Sequence, residues 1–318
     1  MDATRRGFLG AVAATAASAM PRPSRTVAER SGSRFYIAAV TPCDSKGKFD
    51  DGVYKDMMSF FKDRDADGVL VLGTTGEFPS FSVAERKKIA EAALKHKGNM
   101  EILVQVGTPN LPETLELLNH AQSNGADGVL CIPPFYFKNP PVEGLYRHYS
   151  QVLEASKVPV NLYHYPAMSA VPITPELLHK LEHYPNLAGI KDSTGNPESY
   201  AALVKEFPKL NMMTGTENNL PTALKNNKGA ILVSANLCAK QVTALFHAHR
   251  QGKDTAEELA KLHELQQLLR GAGGAAGIKY GFTAYGIRES FVRPPQLDLT
   301  PEQKAALKPK LEQLAKVG

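Results

Sequence analysis

Lys191 stands at the end of a short apolar run, and this position gives it a chemistry that most lysines lack. The run, residues 187–190, is bounded by turn-forming residues, which predicts a buried strand. An ammonium group at the end of such a strand is partly desolvated, so its pKa falls and the neutral amine is accessible near neutral pH. A neutral lysine amine attacks ketones and forms a Schiff base. Most lysines at strand ends are solvated, so Lys191 alone does not define a catalytic site.

Hydroxyl groups on two other segments have the chemistry to assist such an amine. The turn Gly73-Thr74-Thr75-Gly76 offers two hydroxyls and several backbone N–H groups to a carboxylate. Tyr163 ends another apolar run, 28 residues before Lys191, and its phenol would relay protons beside the amine. Each feature also has a structural interpretation, as a hydroxyl-capped turn and as a buried tyrosine with one hydrogen bond.

The segments that carry these residues belong to an alternation of strands and helices. Eight strand segments are predicted, at 35–40, 65–72, 102–106, 125–130, 160–163, 187–190, 211–214 and 231–233. Eight such units in about 250 residues predict a (β/α)8 TIM barrel, which we place at residues 34–240. The remainder, 241–318, is predicted to be a helical extension packed outside the barrel. From Cys238 onward the sequence looks helical apart from residues 271–274, which we interpret as a hinge.

A doubly wound open sheet is the alternative fold for the same alternation. It requires a phosphate-binding glycine loop after the first strand, and Thr41-Pro42-Cys43-Asp44 does not provide one. An internal repeat also favours repeated helix–strand units. Residues 125–130 repeat residues 65–70 sixty positions later, and each copy follows a helix and leads into a strand.

In the barrel arrangement, the unusual residues collect at the carboxyl ends of the strands, which is where barrel enzymes place their sites. The residues that follow or end the strands in this way are Thr74, Thr75, Phe135, Tyr136, Tyr163, Lys191, Gly215, Ser234, Ala235 and Asn236.

The N-terminal residues look like a targeting segment rather than part of the fold. Arg5 and Arg6 precede a weakly apolar stretch, and residues 17–19 offer a small-residue cleavage site. Together they predict a twin-arginine export signal and a periplasmic protein, with residues 1–33 as signal and linker. The apolar stretch is too short to span a bilayer in the mature protein. The alternative is an ordinary N-terminus with two adjacent arginines, on a cytoplasmic protein.

The charge balance gives no reason to expect nucleic-acid binding. Residues 1–34 contain six arginines and two acids, so they carry four of the five net positive charges of the chain. The three cysteines, Cys43, Cys131 and Cys238, are far apart, and no pair has metal-ligand spacing. His247 and His249 lie on a predicted helix, where positions i and i+2 face apart. We therefore expect no disulfide, no metal site and no cofactor.

Three motifs occur in order and carry a resemblance. The motif Gly73-Thr74-Thr75-Gly76-Glu77, the segment Tyr163-x-x-Pro166 and the run Gly189-Ile190-Lys191 are similar to those of the dihydrodipicolinate synthase/N-acetylneuraminate lyase family. The similarity extends from Thr41-Pro42 to Arg293-Pro294-Pro295. It implies a (β/α)8 barrel with C-terminal helices that is usually a homotetramer.

The resemblance also implies roles for individual residues. Lys191 would form a Schiff base with pyruvate or another 2-keto acid, and Tyr163 would be the proton donor and acceptor. Thr74 would join this relay, and Thr74 with Thr75 would hold the keto-acid carboxylate. Tyr136 matches the tyrosine that reaches into the site of a neighbouring subunit.

Two further positions complete the expected site. The resemblance implies that the backbone carbonyl of Ile231 faces the substrate, and we include Gly215 among the substrate-binding residues because it ends the seventh strand.

One departure from the family pattern concerns the substrate. Synthases that condense pyruvate with aspartate semialdehyde carry an arginine five residues after the tyrosine, and here that residue is Met168. A methionine does not pair with a second carboxylate. The form of this segment looks more like that of aldolases and dehydratases acting on sugar-derived 2-keto acids. The alternatives are the synthase itself and a non-catalytic barrel that binds keto acids.

Overall fold

Eight parallel strands close into a barrel, which confirms the predicted (β/α)8 TIM barrel. The computed structural model describes residues 33–269 and 271–317. Within them each strand pairs in parallel with the next, and the last pairs with the first. The strands are β1 (Phe35–Ala38), β2 (Gly68–Val71), β3 (Glu101–Gln105), β4 (Gly128–Cys131), β5 (Val160–His164), β6 (Leu187–Asp192), β7 (Asn211–Thr214) and β8 (Ala230–Leu232).

At least one helix follows every strand and covers the outside of the barrel. Two helices follow β5, and three more come after the helix that follows β8. The helices are α1 (Asp51–Lys62), α2 (Val83–His96), α3 (Leu111–Ser123), α4 (Val142–Ala155), α5 (Pro166–Ser169), α6 (Pro175–Leu181), α7 (Pro197–Glu206), α8 (Leu220–Lys225), α9 (Ala235–Arg250), α10 (Ala256–Leu269), α11 (Gly274–Gly281) and α12 (Pro301–Val317). The boundary that we predicted between the barrel (34–240) and the C-terminal extension (241–318) falls within a helix, because α9 continues through residue 240.

The internal repeat places the same kind of hydrogen bond at two positions at the end of the barrel where the strands begin. Asp67 precedes β2, accepts the Phe35 N–H at 3.1 Å and pairs with Arg250 at 2.7 Å. Asp127 precedes β4 and accepts the Ile102 N–H at 3.0 Å. Each aspartate therefore satisfies a backbone donor at the amino end of the preceding strand. The repeat contributes to the fold at the end opposite the strand carboxyl termini.

The C-terminal segment is docked against the barrel through aromatic packing. The ring of Phe282 lies 5.5 Å from that of Phe60 on α1, and the ring of Tyr285 lies 4.7 Å from the same phenylalanine. The Tyr285 hydroxyl also donates to the carbonyl of Leu237 at 2.8 Å. Edge-to-face contacts of this kind stabilise a pair beyond the area it buries. The extension and the barrel are therefore packed as one body at this contact.

The expectation that residues after Cys238 are helical apart from 271–274 was wrong for residues 286–300. Gly286 has φ +76° and ends the preceding 3₁₀ turn, and Pro294 and Pro295 lack the N–H that a helix needs. The segment instead runs along the loops that follow β1 and β2, where Phe291 forms an antiparallel bridge with Cys43 and Arg293 donates to Gly47 and Ser80. The glycine-rich stretch at 271–274 lies between α10 and α11, as predicted for a connection between helices.

The predicted export signal and linker occupy residues 1–33, and all of them except Ser33 lie outside the residues that the structure describes. Ser33, the last residue of the predicted linker, is buried, and its carbonyl accepts from Arg250 at 3.3 Å. Across 33–269 and 271–317, none of the helices has the length and the apolarity that a bilayer span requires.

Candidate active site

Lys191 and Tyr163 lie side by side on neighbouring strands, and both side chains are buried. They are paired residues in the register of β5 and β6, with relative exposures of 4% and 2%. The Lys191 Nζ atom is 4.5 Å from the centroid of the Tyr163 ring. Lys191 is the penultimate residue of β6, one position earlier relative to the strand end than predicted.

The amine of Lys191 is held in a state that favours nucleophilic attack. Burial lowers the pKa of Lys191 from 10.5 to about 7, because the protonated form loses its hydration. At neutral pH a large fraction of the amine is therefore uncharged and carries a free lone pair. A neutral amine beside a phenol is the arrangement that forms and protonates imines.

The phenol of Tyr163 connects the amine to the threonine turn. Its hydroxyl is 3.3 Å from Oγ1 of Thr74, and either atom is able to donate. Burial raises the pKa of Tyr163, while hydrogen bonds from Thr74 and Ser193 oppose that rise. The phenol is therefore neutral at physiological pH and suited to pass a proton between the amine and Thr74.

Ser193 is a member of this cluster that our sequence analysis did not select. It follows Lys191 by two positions, and residues two apart on a strand point to the same face. That periodicity was the signal available in the sequence. The Ser193 N–H donates to the carbonyl of His164 at 2.9 Å, so the chain leaving β6 stays joined to β5 and keeps the Ser193 hydroxyl near Tyr163.

Gly215 lies against Lys191 because it has no side chain. A Cβ atom there would be 2.1 Å from Oγ of Ser193 and 3.1 Å from Cε of Lys191. Its N–H donates to the carbonyl of Asp192 at 2.6 Å, which joins the ends of β6 and β7. The glycine thus leaves room for the lysine side chain and for the hydroxyl beside it.

The threonine turn has an unusual backbone at both of its ends. Leu72 and Glu77 adopt φ values of +61° and +55°, a left-handed conformation that costs a non-glycine residue about 1–3 kcal/mol. Between them Thr74 and Thr75 are half-buried, and the Glu77 N–H donates to the Thr74 carbonyl at 3.0 Å. Such a conformation persists only where surrounding contacts hold it, and here it flanks a turn whose Thr74 hydroxyl lies 3.3 Å from that of Tyr163.

A histidine and an aspartate lie next in sequence to the central pair. His164 Nδ1 accepts the Ile173 N–H at 3.0 Å, and its Nε2 is 3.9 Å from Oδ2 of Asp192. The other Asp192 oxygen, Oδ1, accepts from the backbone N–H and the hydroxyl of Thr194, at 3.1 and 2.7 Å. Burial lowers the pKa of His164, and the Asp192 charge opposes that shift. These contacts fix the imidazole to the backbone and indicate a structural role for His164.

A carboxylate and a hydroxyl are also brought together where β7 and β8 end. The Ser234 hydroxyl donates to Oε1 of Glu217 at 2.7 Å, and Glu217 is half-buried. Our sequence analysis noted Ser234 and missed Glu217. The available signal was the position of Glu217, two residues after Gly215 at the end of a strand.

Two predicted site residues stand apart from the central cluster in a single chain. Tyr136 is 73% exposed and its ring makes an edge contact with Phe137 at 5.4 Å. Ile231 lies in β8 beside Tyr36 of β1 with a fully buried side chain. The predicted roles of both residues remain predictions.

Over the described part of the chain, no three His, Cys, Asp or Glu side chains are grouped so as to hold a metal ion.

Comparisons with known proteins agree with this site and fold. A model of the dihydrodipicolinate synthetase family matches residues 32–314. A protein of Chloroflexus aurantiacus named as an uncharacterized DapA-like lyase is 33% identical over 263 residues, covering 81% of this chain and 88% of that relative. A 4-hydroxy-tetrahydrodipicolinate synthase of Neisseria meningitidis serogroup C is 30% identical over 281 residues, covering 87% and 96%.

A solved structure extends the agreement to three dimensions. YagE of Escherichia coli K12, a prophage protein of the dihydrodipicolinic acid synthase family solved in complex with pyruvate, superposes with a TM-score of 0.83 at 28% identity. The superposition covers 89% of this chain and 98% of YagE. Because the family match spans both the barrel and most of the C-terminal segment, this chain belongs to the dihydrodipicolinate synthetase family and is a class I lyase.

Proposed function

We propose that this enzyme joins Lys191 to pyruvate or a related 2-keto acid as a Schiff base and makes or breaks a carbon–carbon bond. The observation that carries the proposal is the buried amine of Lys191, with its pKa near 7, packed against the ring of Tyr163. The pyruvate complex of YagE supports pyruvate as the ligand class.

The reaction begins with attack of the neutral amine on the ketone carbon. The resulting carbinolamine loses water, with its departing hydroxyl protonated by the Tyr163 phenol, and a protonated imine remains. That imine is an electron sink: loss of a proton from the adjacent carbon gives an enamine that attacks an aldehyde. In the reverse direction, the same sink accepts the electron pair of the breaking carbon–carbon bond. Thr74, 3.3 Å from the phenol, replenishes or removes its proton.

The threonine turn supplies the binding site for the keto-acid carboxylate in this proposal. The hydroxyls of Thr74 and Thr75, together with backbone N–H groups of the turn, match the acceptors of a carboxylate. Gly215 leaves space for the reacting carbon next to Lys191. The carbonyl of Ile231 is the acceptor that we assign to the substrate from the side of β8.

The mouth of the barrel favours a hydroxylated partner over one with a second carboxylate. Met168 lies on α5 with 58% of its surface exposed, where an arginine would pair with a carboxylate. Glu217 carries a negative charge at the same end of the barrel, which repels carboxylates and accepts hydrogen bonds from hydroxyls. We therefore propose a sugar-derived 2-keto-3-deoxy acid as the substrate class.

Two other functions are considered against this one. The Neisseria relative is named a 4-hydroxy-tetrahydrodipicolinate synthase, which favours condensation of pyruvate with aspartate semialdehyde. The absence of an arginine at position 168 argues against that substrate. A non-catalytic keto-acid binder would not require the paired Lys191 and Tyr163 that the barrel retains.

Trapping and turnover measurements test the proposal together. Borohydride reduction in the presence of pyruvate is expected to label Lys191, because it reduces the imine to a stable amine that mass spectrometry locates. A panel of 2-keto-3-deoxy sugar acids is then expected to release pyruvate. Pyruvate with aspartate semialdehyde is expected to react much more slowly, since Met168 offers no partner to the second carboxylate.

The Lys191→Arg variant is the matched control for this experiment, because it keeps a long cationic side chain that forms no imine. An unlabelled Lys191 in the native enzyme would overturn the Schiff-base proposal. Labelling without turnover, and without exchange of the pyruvate methyl protons, would favour the binder. Preferred use of aspartate semialdehyde would favour the synthase.

The lowered pKa of Lys191 predicts how trapping depends on pH. Only the neutral amine attacks, so the single-turnover rate of imine formation with pyruvate should rise about tenfold per pH unit below pH ~7 and level off above it. A solvated lysine, with its ordinary pKa of 10.5, would instead give a rate that keeps rising through pH 9. That second profile would contradict the assignment of Lys191 as a desolvated nucleophile.

Gly215→Ala is predicted to impair imine formation. The new Cβ would meet Ser193 Oγ at 2.1 Å and Lys191 Cε at 3.1 Å, so at least one side chain must move. A displacement of about 1 Å at a reacting group costs on the order of 100-fold in rate. Gly144→Ala on α4 is the control, because its Cβ would meet only Pro141 at 3.6 Å. Equal trapping rates in the two variants would show that Gly215 is not needed for the lysine geometry.

We also propose that the enzyme is a homotetramer in which Tyr136 completes the site of a neighbouring subunit. The proposal rests on the family resemblance and on two adjacent exposed aromatic side chains, Tyr136 and Phe137, each 73% exposed. Light scattering should give the mass of four chains. Mixing inactive Tyr136→Ala and Lys191→Arg subunits should restore part of the activity, since an intact lysine then meets an intact tyrosine. A monomer, or mixtures that remain inactive, would contradict it.

A further inference from the structure

A buried ion pair lies directly behind the threonine turn. Glu77, the residue directly after the turn, is 4% exposed, and Lys279 on α11 is fully buried. The Lys279 Nζ atom is 2.5 Å from Oε1 of Glu77, in a close ionic contact rather than a well-aligned hydrogen bond. The pair links residues 202 positions apart, one at the end of β2 and the other in the C-terminal segment.

Both charges have further partners from the C-terminal segment. Lys279 donates to the carbonyl of Phe291 at 2.6 Å. The second carboxylate oxygen of Glu77, Oε2, accepts the backbone N–H of Arg293 at 2.8 Å. Arg293 is itself fixed, since its guanidinium donates to the Ser80 carbonyl at 2.7 Å and to Glu85 at 2.6 Å. Both oxygens of the Glu77 carboxylate are therefore held by residues of the C-terminal segment, Lys279 and Arg293.

The backbone of Glu77 connects its anchored side chain to Thr74. Glu77 is in the left-handed conformation at φ +55°, where a residue with a side chain stays only if its contacts hold it. Its N–H donates to the Thr74 carbonyl at 3.0 Å. Rotation of the Glu77 backbone would thus move Thr74, which is 3.3 Å from the Tyr163 phenol. The ion pair and the site are connected by one residue.

A role in stability alone does not account for a pair of charges at this place. Removing two charges from water is costly, and well-packed apolar side chains of similar volume commonly stabilise a protein as well or better. What a buried ion pair adds is a defined geometry, because each charge accepts few positions for its partner.

We infer that Glu77 is a positioning residue for the carboxylate-binding turn and that Lys279, from the C-terminal segment, holds it in place. The inference rests on the proposed function, in which that turn binds the carboxylate of a 2-keto acid. Glu77 itself touches no substrate in this scheme. Its side chain sets the conformation in which Thr74 and Thr75 face the keto acid, so the extension outside the barrel determines how the site binds its substrate.

Steady-state kinetics of Glu77→Gln and Lys279→Met test the inference. Each variant should raise the KM for pyruvate, or for a 2-keto-3-deoxy acid that releases it, about tenfold and lower kcat as well, because a displaced Thr74 both loses the carboxylate and relays the Tyr163 proton less well, while Lys191 itself is intact. The double variant should show the same KM as either single variant, since all three remove one interaction. It also buries no lone charge, so it supplies a folded protein if a single variant does not fold.

Tyr285→Phe is the matched control. It removes the hydrogen bond from the Tyr285 hydroxyl to the Leu237 carbonyl, which also joins the C-terminal segment to the barrel, but it leaves the contacts of Glu77 with Lys279 and Arg293, so the melting temperature should fall and KM should not change. If the Glu77 and Lys279 variants lower the melting temperature with an unchanged KM, their role is structural and the inference is overturned.

Trapping of wild-type Lys191 distinguishes failure of the positioning role of Glu77 from failure of the proposed function. An enzyme that traps pyruvate normally while its Glu77 and Lys279 variants keep the wild-type KM overturns only the positioning inference. An enzyme whose Lys191 is never trapped overturns the proposed function and this inference with it.

Discussion

The desolvation of one lysine amine is the constraint on which the rest of the site depends. Lowering the pKa of Lys191 from 10.5 to about 7 corresponds to roughly 5 kcal/mol of disfavour for its charged form. The barrel removes the amine from water by burying the Lys191 side chain between neighbouring strands. Hydrogen bonds across the strand ends, from Ser193 to His164 and from Gly215 to Asp192, keep β5, β6 and β7 together around it. The nucleophile is therefore a product of strand packing rather than of a nearby base.

The threonine turn meets a different physical demand. In the proposed function this turn binds a carboxylate, which requires hydroxyl and N–H groups in fixed directions. Two non-glycine residues at its ends, Leu72 and Glu77, adopt the left-handed region. Such a backbone is unfavourable in isolation and requires support from elsewhere. The support comes from beyond the barrel, where Lys279 and Arg293 hold the Glu77 carboxylate. The C-terminal segment is thus connected to the chemistry as well as to the outer surface.

In the proposed function, the charges that the chain presents at the barrel mouth select the second substrate. The family includes relatives named as synthases and a relative named as a lyase, so membership alone leaves the acceptor open. A second carboxylate would need a cationic partner, and neither Met168 nor Glu217 is a cation. The shared lysine chemistry and the variable mouth are separate parts of the structure, which is how one barrel serves several substrates.

The sequence alone determined the barrel and the central residues of the site. Short apolar runs at regular spacing predicted the strands, and the rule that parallel strands end on one face placed Lys191, Tyr163 and Thr74 at the same end of the barrel. The export signal and linker predicted at residues 1–33 likewise come from the sequence, and they stay a prediction. Each of these inferences depends on local pattern, which a linear chain displays directly.

Only the tertiary structure decided which distant residues support the site. The pairing of Glu77 with Lys279 joins positions 202 apart, and no local pattern records such a contact. In residues 286–300 the glycine and prolines that prevent a helix are visible in the sequence, but the path of the segment is set by the long-range bridge between Phe291 and Cys43. The closeness of Gly215 to Lys191 also depends on how two strands meet. Burial, and with it the pKa of the lysine, is a property of the packed barrel and not of the chain.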